Sequence, residues 1–147
     1  MNRVIPPILF LVLLAAQAAL AVFYSDDFVM RAGRAMPWDI PLALGVVVLV
    51  WARLQFRAQE AEIHTFRQPR TLVTGGLFRF SRNPMYLGFL LLLIAAAFFV
   101  NHWCALIAPA IFFIAASFWY IPHEERTLRA VFGPQYEAYA GRVRRWL

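Results

Sequence analysis

Four long apolar runs constrain this chain more than anything else in it: Ile5 to Tyr24, Trp38 to Phe56, Met85 to Val100 and Trp103 to Ile121. A helix needs roughly 20 apolar residues to cross a hydrocarbon core about 30 Å thick. Arg53 interrupts the second run and the third is short, but flanking Trp, Tyr and Arg side chains can snorkel to the interface. The expected fold is therefore an all-α integral membrane domain of about four transmembrane helices. Of the 147 residues, 62% are hydrophobic and only 15% charged, which excludes an ordinary soluble domain. The first run, with Arg3 before it and Ala19-Leu20-Ala21 near its end, also has features of a secretory signal peptide, but it is long for a signal core and is counted as a span.

All 14 basic residues are arginine, and their positions predict topology. Residues 52–84 carry six arginines against two glutamates, and residues 121–147 carry five against three. Residues 25–39 carry two arginines against three aspartates, and Asn101-His102 carries no formal charge. Counting arginines places both termini and the middle loop in the cytoplasm. The excess thus reads as membrane orientation and contact with anionic lipid headgroups. No aromatic-interleaved basic surface accompanies it, so nucleic acid is not an expected partner. Cys104 has no partner for a disulfide or a metal site and reads as packing; no metal is expected, and the oligomeric state is left open.

The chain has no repeats and reads as one domain: two N-terminal spans in 1–58, a cytoplasmic loop over 59–84, a helical hairpin over 85–121, and a cytoplasmic tail over 122–147. Two apolar runs separated by Asn101-His102 must lie antiparallel, which brings Asn83 and Glu124 out on one side. In the tail, Phe132-Gly133-Pro134 reads as a helix stop followed by a new start. Tyr136, Tyr139, Val143 and Trp146 then recur at helical spacing. They predict an amphipathic helix lying in the headgroup layer, with Arg142 and Arg145 off the apolar stripe.

Polar chemistry gathers at two places. In Ser81-Arg82-Asn83-Pro84-Met85-Tyr86, Pro84 is pre-set for a first helical turn and Asn83 is a favoured N-cap. A helix N-terminus beside the Arg82 charge suits a carboxylate or phosphate. Gly75-Gly76 lets the preceding backbone turn tightly and approach a ligand. Glu124 and Glu125, beside His123 and Arg126, suit a cationic or hydroxyl-bearing group. Between the two clusters stand Phe78, Phe80, Tyr86, Trp119 and Tyr120, whose faces favour cations. The arrangement fits a zwitterion with an aromatic or sulfonium portion. No dinucleotide loop, phosphate-binding loop or Ser-His-Asp ordering is present.

The stretch "RTLVTGGLFRFSRNPMYLG", followed some forty residues later by "HEERTLRAVFGPQYEAYAGRVRRWL", resembles the isoprenylcysteine carboxyl methyltransferase family and its phospholipid-methyltransferase relatives. The likeness covers Thr71 to Leu147. It rests on Arg-(His/Asn)-Pro-x-Tyr and Glu-Glu-x-x-Leu-x-x-x-Phe-Gly-x-x-Tyr, specific in combination. The resemblance implies a membrane-embedded enzyme using S-adenosylmethionine. It implies cofactor contacts from Arg70, Thr71, Leu72, Val73, Phe78, Asn83, Pro84, Met85, Tyr86 and Glu124, with the tail closing over the site. Arg82, Tyr120 and Glu125 are the candidate catalytic groups. Two positions depart from the pattern. Asn83 stands where His is usual, so this position cannot titrate. Tyr120 stands where members acting on prenylcysteine carboxylates have Arg, which leaves lipid amines, thiols and other amphipathic acceptors open. The implied partners are a lipophilic or lipidated acceptor and membrane lipids. A non-catalytic membrane scaffold is the competing reading. A transporter ranks last, because no ionisable residues occupy the middle of the spans.

Overall fold

A computed structural model describes residues 5–23, 37–58 and 71–147. Arg70, Arg67 and most of the first loop lie outside the described residues. Within them every regular element is a helix. Helix α1 spans Pro6–Phe23 and α2 spans Asp39–Ala58. A 3-10 turn, Gly76–Arg79, precedes α3, Pro84–Val100. A second 3-10 turn, Trp103–Leu106, leads into α4, Ile107–Ala115, a π turn, Ala116–Tyr120, and α5, Ile121–Phe132. Helix α6 is Pro134–Ala140.

Among the described residues, three helical stretches are long and apolar enough to cross a membrane: Pro6–Phe23, Asp39–Arg57 and Trp103–Phe132. Helix α3, at 17 residues, is apolar but shorter. The last long stretch runs well past Ile121, where the sequence pattern ended it. Pro122 lacks an N–H and would ordinarily clash with the preceding turn. The π turn just before it widens the helix, with the Ile121 N–H reaching the Ala116 carbonyl, so the proline is absorbed rather than breaking the rod.

Helix α3 is the centre of the bundle. Phe10 of α1 packs on Phe89 with ring centroids 4.7 Å apart, and Leu20 and Ala21 pack against the Ala97–Val100 end, so α1 runs parallel to α3. Helix α2 runs the other way, with Gly45 against Gly88 and Leu92, Leu49 against Gly88, and Trp38 edge-on to Phe99. The two glycines set the closeness of this crossing: a Cβ on Gly88 would lie 2.5 Å from Leu49 Cγ, and one on Gly45 would lie 3.1 Å from the Gly88 carbonyl oxygen. Small residues allow such approach where lipid offers no hydrophobic drive for association.

Asn101, in the left-handed conformation at φ 50°, ends α3, and its N–H returns to the Ala97 and Phe98 carbonyls. The His102 Nδ1 accepts from the Cys104 N–H and starts the next turn. Tyr86 at the start of α3 then lies beside Phe112 and Glu124, so α3 and α4–α5 are antiparallel neighbours.

One polar side chain sits deep in the apolar body. Gln17 of α1 is buried, and its amide N–H₂ donates to the carbonyls of Leu93 and Ala105, each at 3.0 Å. Pro109 explains the second bond. It has no N–H to return to Ala105, four residues back, and Gln17 supplies a donor instead.

The tail departs from its expected shape. Helix α6 stops at Ala140, so Val143 and Trp146 lie beyond it instead of on one continuous stripe. Tyr136 and Tyr139 are buried with Val73 and Phe78, flanked by Phe56, Leu72 and Leu128. The aromatic face of this helix therefore covers the chain's own loop. The reason is a set of polar groups that the last residues must satisfy at the start of α3.

Candidate functional site

Pro84 starts α3, so the residues just before it cannot place their donors in its helical ladder. Buried donors need partners somewhere. Ser81 N–H returns to the Leu77 carbonyl, and Asn83 N–H donates to Ser81 Oγ at 3.1 Å. The others are met by the far end of the chain. Arg82 N–H donates to the Arg144 carbonyl at 2.9 Å. Asn83 Nδ2 donates to the Arg145 carbonyl at 2.9 Å, and the Ser81 hydroxyl donates to the same oxygen at 3.3 Å. Asn83 thus occupies the N-cap position of α3, but its side chain makes no capping bond there and is turned to the tail.

The preceding loop is fixed just as firmly. Gly76 has φ +54°, which favours glycine, and a Cβ there would run into the Gln55 side chain. Gln55 Oε1 accepts from the Leu77 N–H at 3.1 Å, pinning the turn to the end of α2. The Tyr139 hydroxyl donates to the Phe78 carbonyl at 2.7 Å, pinning it to the tail helix. Burial pushes the phenols of Tyr136 and Tyr139 above the ordinary tyrosine range.

The adjacent glutamates of α5 take different partners. Glu124 Oε1 accepts from the Tyr86 hydroxyl at 2.7 Å, and the rings of Tyr86 and Tyr120 lie nearly parallel with centroids 6.3 Å apart. Glu125, only 3% exposed, is enclosed by arginines. Arg145 grips it through two bonds, Nε to Oε1 at 2.9 Å and Nη2 to Oε2 at 2.7 Å. Arg82 Nη1 stands 3.2 Å from Oε1, and Arg129, one turn further along α5, stands 3.8 Å from Oε2. Arg82 Nη1 also donates to the Tyr136 hydroxyl at 3.3 Å. This geometry matches a bidentate guanidinium–carboxylate pair, and the carboxylate raises the Arg145 pKa above its ordinary value. Arg82 Nε is buried with no hydrogen-bond partner among the described residues.

The sequence-predicted residues divide accordingly. Arg82, Asn83, Tyr86, Tyr120, Glu124 and Glu125 meet at one end of the bundle, with Pro84 buried and Met85 half-buried beside them. Val73 and Phe78 are buried under Tyr136 and Tyr139, Leu72 packs at the edge of that cluster, and Thr71 is exposed. Phe80 and Trp119, expected in the aromatic wall, are each 69% exposed. His123 gives its carbonyl to Thr127, and no cluster of metal-ligating residues occurs among the described residues. Residues that the sequence left in the background are prominent here: Ser81, Arg129, Arg144 and Arg145. An excess of arginine in a tail signals lipid contact as readily as a buried carboxylate, so nothing local marked Arg145.

Comparison with known proteins adds the family. A model of the phospholipid methyltransferase family matches residues 39–135, so it includes α2 and ends before the last turns of the tail. A protein of Haemophilus influenzae described only as uncharacterized is 36% identical over 63 residues, which is 43% of this chain and all of that one. No solved structure matches. With its motif arginine, asparagine and tyrosine assembled against the paired glutamates, the chain belongs to the phospholipid methyltransferase family, whose members are methyltransferases of membranes.

Proposed function

We propose that this protein transfers a methyl group from S-adenosylmethionine to a lipophilic or amphipathic acceptor at the bilayer surface. The observation that carries the reading is the contact of Tyr86 with Glu124, set beside that of Arg82 with Glu125. The family motif and the acidic pair meet there, within hydrogen-bond reach. The residues suit the cofactor chemically. Its amino-acid end is a zwitterion, and the site offers the Glu124 carboxylate for cations or ribose hydroxyls and, for an anion, a buried Arg82 Nε–H with no partner among the described residues.

When bound, the cofactor supplies a methyl group on positive sulfur, which leaves as a neutral thioether. The protein's part is mostly positioning and exclusion of water. Asn83, Met85, Tyr86 and Glu124 would hold the cofactor, with Thr71 and Leu72 at the edge; Arg70, the other residue the resemblance implicates, lies outside the described residues. Val73, Phe78 and Pro84 shape the floor from below. Tyr86 orients the Glu124 carboxylate, and the Tyr120 ring extends the aromatic face toward the bilayer. Arg82 and Glu125 neutralise each other and keep the first turn of α3 in place. A carboxylate or thiolate acceptor needs no base, whereas an amine must lose a proton, for which Tyr120 is suitably placed. In this reading α3 completes four crossings. The arginine-rich end faces the cytoplasm, and the acceptor's apolar part approaches from the membrane.

Calorimetric titration of S-adenosylmethionine into purified protein tests this, beside a Glu124→Gln variant of matched thermal stability. Saturable binding that the variant loses supports the enzyme. Absence of binding by folded wild type, in detergent and in nanodiscs, refutes it and favours the scaffold.

A further inference from the structure

We propose that Arg145 is a positioning residue of the methyl-transfer site, so that the extreme C-terminal segment sets how long the cofactor stays bound. The inference rests on the methyltransferase reading above. It concerns residues 141–147, which lie beyond the family match at residue 135.

Arg145 acts on the site twice. Its main-chain oxygen accepts from both Ser81 Oγ and Asn83 Nδ2, while its guanidinium closes on Glu125, whose side chain is only 4% exposed. Water cannot meet the Glu125 charge at that depth, so the arginines must. Arg129 stands furthest off, and Arg82 is itself part of the motif. Without the Arg145 guanidinium, Glu125 is left to Arg82 at 3.2 Å and the more distant Arg129 at 3.8 Å, so the load falls chiefly on the motif arginine beside Asn83. Two further contacts seat the segment: Arg144 accepts from the Arg82 N–H, and Trp146 reaches α4 and the π turn. Its indole N–H donates to Ser117 Oγ at 3.2 Å, and its ring lies 5.0 Å from that of Phe113. The strap therefore ties the polar end of α3 to the apolar wall one turn from Tyr120. A ligand leaving that end must displace the strap or pass beside it.

The test is release of tritiated S-adenosylmethionine from protein in nanodiscs, chased with excess unlabelled cofactor, for wild type, Arg145→Gln and Arg145→Lys. Release at least tenfold faster in Arg145→Gln, an intermediate rate in Arg145→Lys, and unfolding midpoints close to wild type are expected, since lysine keeps the charge but not the fork. Unchanged release rates in both variants overturn the role of Arg145 and leave the cofactor reading intact. Equal loss of folding in both, with no rescue by lysine, assigns Arg145 to structure alone and also overturns it. If Arg145→Gln alone fails to fold, the lysine variant carries the test. Wild type that binds no S-adenosylmethionine removes the methyltransferase reading and this inference with it.

Discussion

Replacing Gln17 with leucine removes two interhelical hydrogen bonds from the apolar body of the bundle, those to Leu93 and Ala105. Interhelical hydrogen bonds in membranes contribute about 0.6 kcal/mol on average and about 1.7 kcal/mol at most. The Leu93 carbonyl lies inside α3, where its own helix offers a donor. The Ala105 carbonyl does not have that alternative, because Pro109 lacks the N–H. The loss should therefore total about 1 to 2 kcal/mol, weighted toward Ala105. A double-mutant cycle isolates this asymmetry. In a Pro109→Ala background residue 109 regains an N–H for Ala105, so Gln17→Leu should cost about half as much there. The assay is unfolding of wild type, both single variants and the double variant in mixed micelles with rising dodecyl sulfate, followed by helical circular dichroism. Additive effects, within about 0.3 kcal/mol, would refute the argument that Gln17 replaces the donor missing at Pro109.

Two more perturbations separate packing from titration. Gly88→Leu drives a side chain into Leu49 and toward the Gly45 carbonyl, so it should lower stability by about 3 kcal/mol, the upper end for overpacking; a wild-type unfolding midpoint would contradict the tight α2–α3 crossing. Tyr139 has its pKa raised by burial, so the folded state holds a proton that the unfolded chain releases. Its contribution is fully present below the ordinary tyrosine pKa of about 10 and is lost as pH rises from there toward the folded value. Tyr139→Phe should cost about 1 kcal/mol at neutral pH, through the lost bond to Phe78, and should flatten the alkaline decline; an equally steep decline in the variant would count against it.

Length and composition alone picked out three of the four apolar runs as helices long enough to cross a membrane, because bilayer thickness sets one scale for all of them; the run that forms α3 is shorter. The meeting of the SRNPMY segment with Glu124 and Glu125 was legible for a similar reason. A two-residue turn at Asn101-His102 permits only antiparallel neighbours, and antiparallel neighbours share an end. Even the family likeness was local, since it rests on two short motifs.

What the sequence could not show depends on partners far apart along the chain. Glu124 and Glu125 are adjacent and chemically identical, yet one meets a tyrosine and the other three arginines, because successive helical positions point about 100° apart. The aromatic period of the tail predicted one interfacial helix. Tertiary demand won: unpaired donors before Pro84 draw the Arg144 and Arg145 carbonyls across the site, and the helix ends at Ala140 to let them reach. Hydrophobic pattern thus determined which helices are long and apolar enough to cross a membrane, and the local motifs determined where the polar chemistry gathers. Only the packed structure decided which charges pair, because a hydrogen bond needs its partner within about 3 Å, and sequence separation carries no such distance.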